Sequence, residues 1–314
     1  MGWLEITEKG RYGDKVVRIF IPDKTTRISR GPVIILMHGV HGCANVEVGN
    51  KYGQIAQLLL NKGINATMIE TSRAYRDMKP YGDDRTTWAL EAFKGKTFEE
   101  DHADNIVGVS RIQEEFPNSD HWLWGFSLGG IHAILIASEN IPKKPQGLIL
   151  SGSGINVTKE AEDALKLPIL DTMPPQKALE EAAMKISTKK LISFWGTEDN
   201  VFSKESCKAI VDLVPLSPGN KEFHVIEGAD HSFRLMRGEQ SIEPIKVMLD
   251  IVVPHVLQGQ GTEKPIQDKI KGPKIRLRKL PKARCGPNTK ASFLLTLPKR
   301  SKTKAAPPPT INPK

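Results

Sequence analysis

The chain has 314 residues, 39% hydrophobic and 26% charged, with a formal net charge of +9. Such a balance fits a soluble globular protein with ample core, and no apolar run approaches the roughly 20 residues of a membrane-spanning helix. The charged start MGWLEITEKGRYGDK has no apolar signal region, and Ile6 stands where myristoylation needs Ser or Thr.

The positive charge is unevenly spread. Residues 258–314 hold 15 Lys and Arg against two acids, Glu263 and Asp268, or +13, which leaves the body at −4. This segment also carries nine of the 22 prolines. It reads as a disordered tail, because so basic and proline-rich a stretch cannot bury enough surface to offset its ordering entropy. The globular domain is therefore expected over residues 1–257. The three cysteines, Cys43, Cys207 and Cys285, are odd in number and form no CxxC pair. They imply a reducing, cytoplasmic setting without a disulfide or zinc framework.

In chain order, KVVRIFIP (15–22) reads as a strand, and PVIILMHG (32–39) as a strand buried on both faces. KYGQIAQLLLNKG (51–63) places Ile55, Leu58 and Leu59 at helical spacing before a capping Gly63. NATMIET (65–71) is the next strand. The polar stretch 75–88 is expected as a loop near a strand's C-terminal end. Residues 99–116 form an amphipathic helix, with His102 at its acidic start. HWLWGF (121–126) is a strand with Trp122 and Trp124 in the core, and LGGIHAILIASEN a helix. GLILSGSG (147–154) and KLISFWG (190–196) are strands. Between them, residues 155–189 are helical, broken by prolines, and long enough to suggest a small cap. SKESCKAIVDLV is a helix, EFHVIEG a strand, and SIEPIKVMLDIVVPHVL a final helix interrupted at Pro254. Strands alternating with helices predict an α/β fold, a mainly parallel sheet covered on both faces.

Four motifs carry chemistry. Gly125-Phe126-Ser127-Leu128-Gly129 matches G-x-S-x-G between a predicted strand and a predicted helix. On so sharp a turn the residues two places either side of the serine must be small, which Gly125 and Gly129 satisfy. A hydroxyl is a poor nucleophile at neutral pH, so an imidazole must take its proton and a carboxylate must orient the imidazole. Asp199, in GTEDN, lies just past one strand, and His231, in GADHSF, just past the last. The neighbouring Glu198 and Asp230 are alternative carboxylates, and Asp199 is also placed to cap the helix starting near Ser203. After the buried strand comes His38-Gly39-Val40-His41-Gly42, a loop suited to aiming a backbone N–H at a developing oxyanion. Val40 is the expected donor there, with His41 as the alternative; Leu128 supplies the second.

With HGVHG, GFSLGG, GTEDNV and GADHSF in this order, residues 15–257 resemble the α/β-hydrolase superfamily, in the region of serine esterases and dienelactone-hydrolase-like or peptidase-like acyl hydrolases. The nucleophile position holds Ser, where dienelactone hydrolases proper use Cys, and the basic tail departs from the family pattern. The resemblance implies hydrolysis of a carboxylic ester in a small-molecule substrate by Ser127, His231 and Asp199 through an acyl-enzyme. His38, Gly39, Gly125 and Gly129 support the site, and no metal or organic cofactor is needed. A thioesterase or an amidase on the same fold is an alternative. So is a non-catalytic relative whose basic tail contacts nucleic acid or anionic surfaces through nonspecific charge.

Overall fold

The computed structural model describes residues 2–12, 15–40, 43–72, 84–139, 141, 143–164, 167–235 and 241–258. The expectations for His41, Cys285, the loop residues 75–83 and tail residues 259–314 lie outside the described residues.

Eight strands among the described residues form one sheet: β1 (Trp3–Lys9), β2 (Val16–Pro22), β3 (Val33–Met37), β4 (Asn65–Glu70), β5 (His121–Phe126), β6 (Gly147–Ser151), β7 (Lys190–Glu198) and β8 (Lys221–Asp230). Their order is β1-β2-β4-β3-β5-β6-β7-β8. From β4 to β8 all neighbours run parallel, while β1–β2 and β2–β4 are antiparallel.

The parallel strands are apolar throughout because both faces are covered. Val33, Ile35, Met37, Leu123, Leu148 and Leu150 point to one core, and Ile34, Leu36, Trp122, Trp124, Ile149 and Phe194 to the other. The first core is closed by α3 (Phe98–Glu115), α4 (Leu128–Ser138), α7 (Gln176–Ala183) and α8 (Lys204–Leu213). The second is closed by α1 (Lys51–Asn61) and α9 (Glu243–Leu257), which carries Pro254 inside it.

Three features differ from the sequence reading. The charged N-terminal stretch is β1, paired along its length with β2; Glu5 and Glu8 hide it because an edge strand stays half exposed. The end of the polar stretch 75–88 is helical, in α2 (Arg85–Ala92). Asp84 starts it, accepting the Thr87 N–H and hydroxyl at 2.9 and 2.6 Å. Within 155–189 lie α5 (Lys159–Ala164), α6 (Pro168–Asp171) and α7, and α7 packs on α4 and α8 as the crossover helix between β6 and β7. Among the described residues no helix is long and apolar enough to cross a membrane.

Position in this sheet singles out one place. From β3 the chain moves to β4 on one side, and β5 lies on the other. The reversal opens a crevice at the strands' C-terminal ends, where open α/β sheets bind ligands.

Candidate active site

Ser127 sits at that crevice, between β5 and α4, with φ 53° and ψ −121°. A side chain rarely tolerates this conformation, which costs on the order of 1–3 kcal/mol and must be held by its surroundings. Ser151 O accepts the Ser127 N–H at 2.9 Å, and the Ser153 hydroxyl donates to Ser127 O at 2.9 Å. The glycines are required by closeness. A Cβ on Gly125 would lie 2.4 Å from Gly129 O, one on Gly129 2.3 Å from Met37 O, and one on Gly130 2.0 Å from the Ser153 hydroxyl.

The Ser127 hydroxyl is 2.8 Å from His231 Nε2, and His231 Nδ1 is 3.0 Å from each carboxylate oxygen of Asp199. An ionised carboxylate only accepts, so Nδ1 carries the proton and Nε2 is left to accept from the hydroxyl. The Asp199 side chain is fully buried, while that of His231 is 20% exposed.

Local structure explains both placements. A bulge in β7 between Gly196 and Glu198 redirects the strand's end. Asp199 Oδ1 then accepts the N–H groups of Val201 and Phe202 at 2.8 and 3.0 Å. Ser203, not Asp199, caps α8. Glu198 stays in the strand. Asp230 instead folds the histidine turn, its Oδ1 accepting the N–H groups of Ser232 and Arg234 at 2.9 and 2.8 Å. Phe202 stacks on the imidazole, with ring centroids 5.9 Å apart.

The loop after β3 comes against the serine. A Cβ on Gly39 would lie 3.1 Å from Ser127 Cβ and 3.7 Å from Oγ. Val40 follows, partly buried against the first core. His38 is buried, and its Nδ1 donates to Gly39 O at 2.9 Å. Leu128 is the first residue of α4, so its N–H has no partner within the helix. The Ser127 side chain makes no capping bond to that first turn.

One close neighbour belongs to the glycine-rich strand end Ser151-Gly152-Ser153-Gly154, which the sequence suggests as a loop near the active site. Gly152, at φ +59°, leaves room for the acid and base: a Cβ there would stand 3.0 Å from Asp199 Oδ2 and 3.2 Å from His231 Nδ1. Nearby Cys207 is no rival nucleophile. Burial pushes its thiol well up, and the charge of Asp199 adds to the effect. His102 lies past the acidic first turn of α3, contrary to expectation. It bridges Glu139 at 2.9 Å and His132 Nδ1 at 3.2 Å, while His132 meets the buried Asp101 at 2.8 Å. These contacts form a polar seam between α3 and α4.

No family model matches the chain, and no curated protein sequence does either. Solved structures do resemble it. The esterase Pf2001 of Pyrococcus furiosus is 14% identical, covering 82% of this chain and 92% of that one, with a TM-score of 0.56. A highly thermostable carboxyl esterase from Bacillus coagulans, in complex with glycerol, is 14% identical over 82% of this chain and 98% of that one, with a TM-score of 0.55. Est1E from Butyrivibrio proteoclasticus, with ferulic acid bound, is 13% identical over 78% of this chain and 94% of that one, with a TM-score of 0.51. At such identities the likeness is one of fold.

Proposed function

We propose that this chain, which has the α/β-hydrolase fold, is a serine hydrolase that cleaves a carboxylic ester or related acyl bond in a small-molecule substrate. One observation carries the reading: the unbroken line from the Asp199 carboxylate through His231 to the Ser127 hydroxyl, at 3.0 and 2.8 Å. The esterase names of the solved structures support an ester as the first substrate; a thioester or amide would use the same groups.

In this mechanism Ser127 Oγ attacks the acyl carbonyl while its proton passes to His231 Nε2. Asp199 holds the imidazole in the competent tautomer and stabilises the imidazolium. The tetrahedral oxyanion accepts the N–H groups of Val40 and Leu128; backbone donors held by the fold cost little reorganisation as charge develops. Collapse expels the leaving group, which takes the proton from Nε2 and leaves an acyl-enzyme. Water, deprotonated by His231, then attacks the acyl carbon, and a second collapse releases the acid and restores Ser127. Every step uses groups of the chain itself. The catalytic unit is residues 1–257, and the basic segment from 258 onward is accessory. A reducing, cytoplasmic setting accords with three cysteines that are odd in number and form no CxxC pair.

Labelling with a fluorophosphonate probe tests this. The reagent phosphonylates an activated serine with loss of fluoride. Wild type should label and hydrolyse short-chain nitrophenyl esters, and Ser127→Ala and His231→Ala should do neither. Hydrolysis that persists in Ser127→Ala would overturn the assignment. Deletion of 258–314 should leave hydrolysis intact; if it abolishes hydrolysis, the tail belongs to the catalytic unit.

A further inference from the structure

Two adjacent residues at the start of α1 touch three loops of the site, and the mechanism above uses neither. Tyr52 is 4% exposed. Its hydroxyl accepts the N–H of Gly39 at 3.2 Å. Its ring stands edge-on to Phe126, the residue before the serine, with centroids 5.4 Å apart at 89°. Lys51 Nζ lies 4.4 Å from the centre of the Phe126 ring and 5.0 Å from that of Tyr52. It also donates to the carbonyl of Ser232, next to His231, at 3.4 Å.

The turn that carries them is anchored. Asn50 caps α1, its Oδ1 accepting the N–H groups of Tyr52 and Gly53 at 2.9 and 3.2 Å. Its Nδ2 donates to Cys43 O at 2.8 Å, tying the helix to the segment that follows the β3 loop.

Chemistry explains why the residues at 51 and 52 matter. Glycine at position 39 spares Ser127 a tight contact, since a Cβ there would stand 3.1 Å from Ser127 Cβ, but glycine brings the loosest backbone of any residue. Its peptide orientation must therefore be fixed from outside. Phenylalanine would fill the apolar contacts of Tyr52 equally well; the hydroxyl adds a fixed partner for the Gly39 N–H. Tyr52 holds the peptide on the N-terminal side of Gly39, and His38 Nδ1, bonded to Gly39 O at 2.9 Å, holds the next peptide, which carries the Val40 N–H; with both fixed, the torsions of Gly39 are fixed too. On the other side, an ammonium bound to the Ser232 carbonyl fixes the turn that carries the base.

We infer that the first turn of α1 is a positioning element for hydrolysis: Tyr52 sets the oxyanion loop through Gly39, and Lys51 sets the histidine turn through Ser232, both pressing on Phe126. Neither touches the reacting atoms. The inference rests on the serine-hydrolase reading. Lys51 is also strained electrostatically: burial, then the charge of Arg234, lower its pKa to about 7 against the opposing pull of Asp230. A lysine kept there despite that penalty accords with a role for its charge.

The test is steady-state hydrolysis of p-nitrophenyl butyrate by the full chain, with the rate of fluorophosphonate labelling measured in parallel. Misplacing a catalytic group by about 1 Å costs about 100-fold. Tyr52→Phe should accordingly lower kcat by about 10- to 100-fold, with KM within about twofold and an unchanged melting temperature. Labelling should slow in step, because phosphonylation also builds negative charge on oxygen. Lys51→Met, which leaves the packing of Tyr52 and Phe126 in place, should lower kcat about fivefold or more. A Tyr52→Phe enzyme whose kcat is within twofold of wild type overturns the inference while leaving the hydrolase reading intact. So does a loss confined to KM, or one that tracks a fall in melting temperature. Wild type without Ser127-dependent turnover overturns both.

Discussion

Replacing Asp199 by Asn separates shape from proton placement. Oδ1 of Asp199 accepts two backbone N–H groups, from Val201 and Phe202, and both Oδ1 and Oδ2 lie 3.0 Å from His231 Nδ1. In the amide, the oxygen must take the Oδ1 position. The opposite orientation would leave two buried donors unmet, at about 1–3 kcal/mol each. The amide nitrogen then occupies the Oδ2 position, 3.0 Å from His231 Nδ1, where its hydrogen opposes the one on Nδ1. The remaining acceptor for Nδ1–H is the oxygen at the Oδ1 position, already engaged by two backbone N–H groups, so the balance shifts towards the proton on Nε2, which can then no longer accept from Ser127. Restoring the competent tautomer costs what the flip would cost, about 2–6 kcal/mol in all, or a fall in kcat of roughly 30-fold to 10⁴-fold. Stability should hardly change, since both backbone hydrogen bonds survive. Stopped-flow and steady-state kinetics on a nitrophenyl ester, with thermal melting alongside, measure both sides. If Asp199 served only to prop the ring, the near-isosteric Asn variant would work. Turnover within tenfold of wild type, with the fold intact, would refute the tautomer reasoning.

Other expectations concern the frame around the site. His121 is 1% exposed, and neither ring nitrogen has a hydrogen-bond partner among the described residues. Burial, then Lys143, lower its pKa from 6.5 to about 4. Below pH 6.5 the unfolded chain takes up a proton that the folded chain refuses until about pH 4, so stability is lost as pH falls through that window, by up to about 3 kcal/mol. Denaturant midpoints should show this loss in wild type but not in His121→Leu; parallel profiles for the two proteins would count against it. Glu222 bonds to Lys190 and to His224 at 2.8 Å. Burial opposes its ionisation, but the bonds from Lys190 and His224 and the charge of His255 outweigh it and bring the pKa to about 2. That stability is present above pH 4.5 and fades as pH falls towards 2; Glu222→Gln should be flat over the range, as read by melting temperature. Gly129→Ala drives a methyl against the main chain of Met37 and His38 at 2.3–2.7 Å. It should abolish serine labelling and lower the melting temperature by several degrees.

Much of this was legible in the sequence because it is local or periodic. The buried runs VIILM and GLILS announce two-sided strands, and Ser127, Asp199 and His231 each directly follow a strand. β1 was not legible: only pairing with β2 distinguishes WLEITEK from a charged leader. The crossover role of α7 was equally hidden, since helical periodicity is the same in a cap and a crossover. Gly152 was legible as part of a glycine-rich strand end near the site, though not its fit against acid and base. Tyr52 escaped for a different reason: it acts through space on a residue of another loop, at a distance set by sheet register, and a Tyr in a first helical turn has no distinctive spacing.

The glycines at 39, 125, 129, 130 and 152 leave less than a methyl group of room between the loops that meet at Ser127. A site interlocked in this way is almost closed to variation from within, since any added carbon crowds main chain, the Ser153 side chain, nucleophile, acid or base. Change has to come from outside the lock. New selectivity, in a laboratory library or in descent, should therefore be sought in the segment around α5 and α6, where a substitution can reshape the approach without disturbing the centre. Libraries built at the glycines should return unfolded or inert proteins almost exclusively.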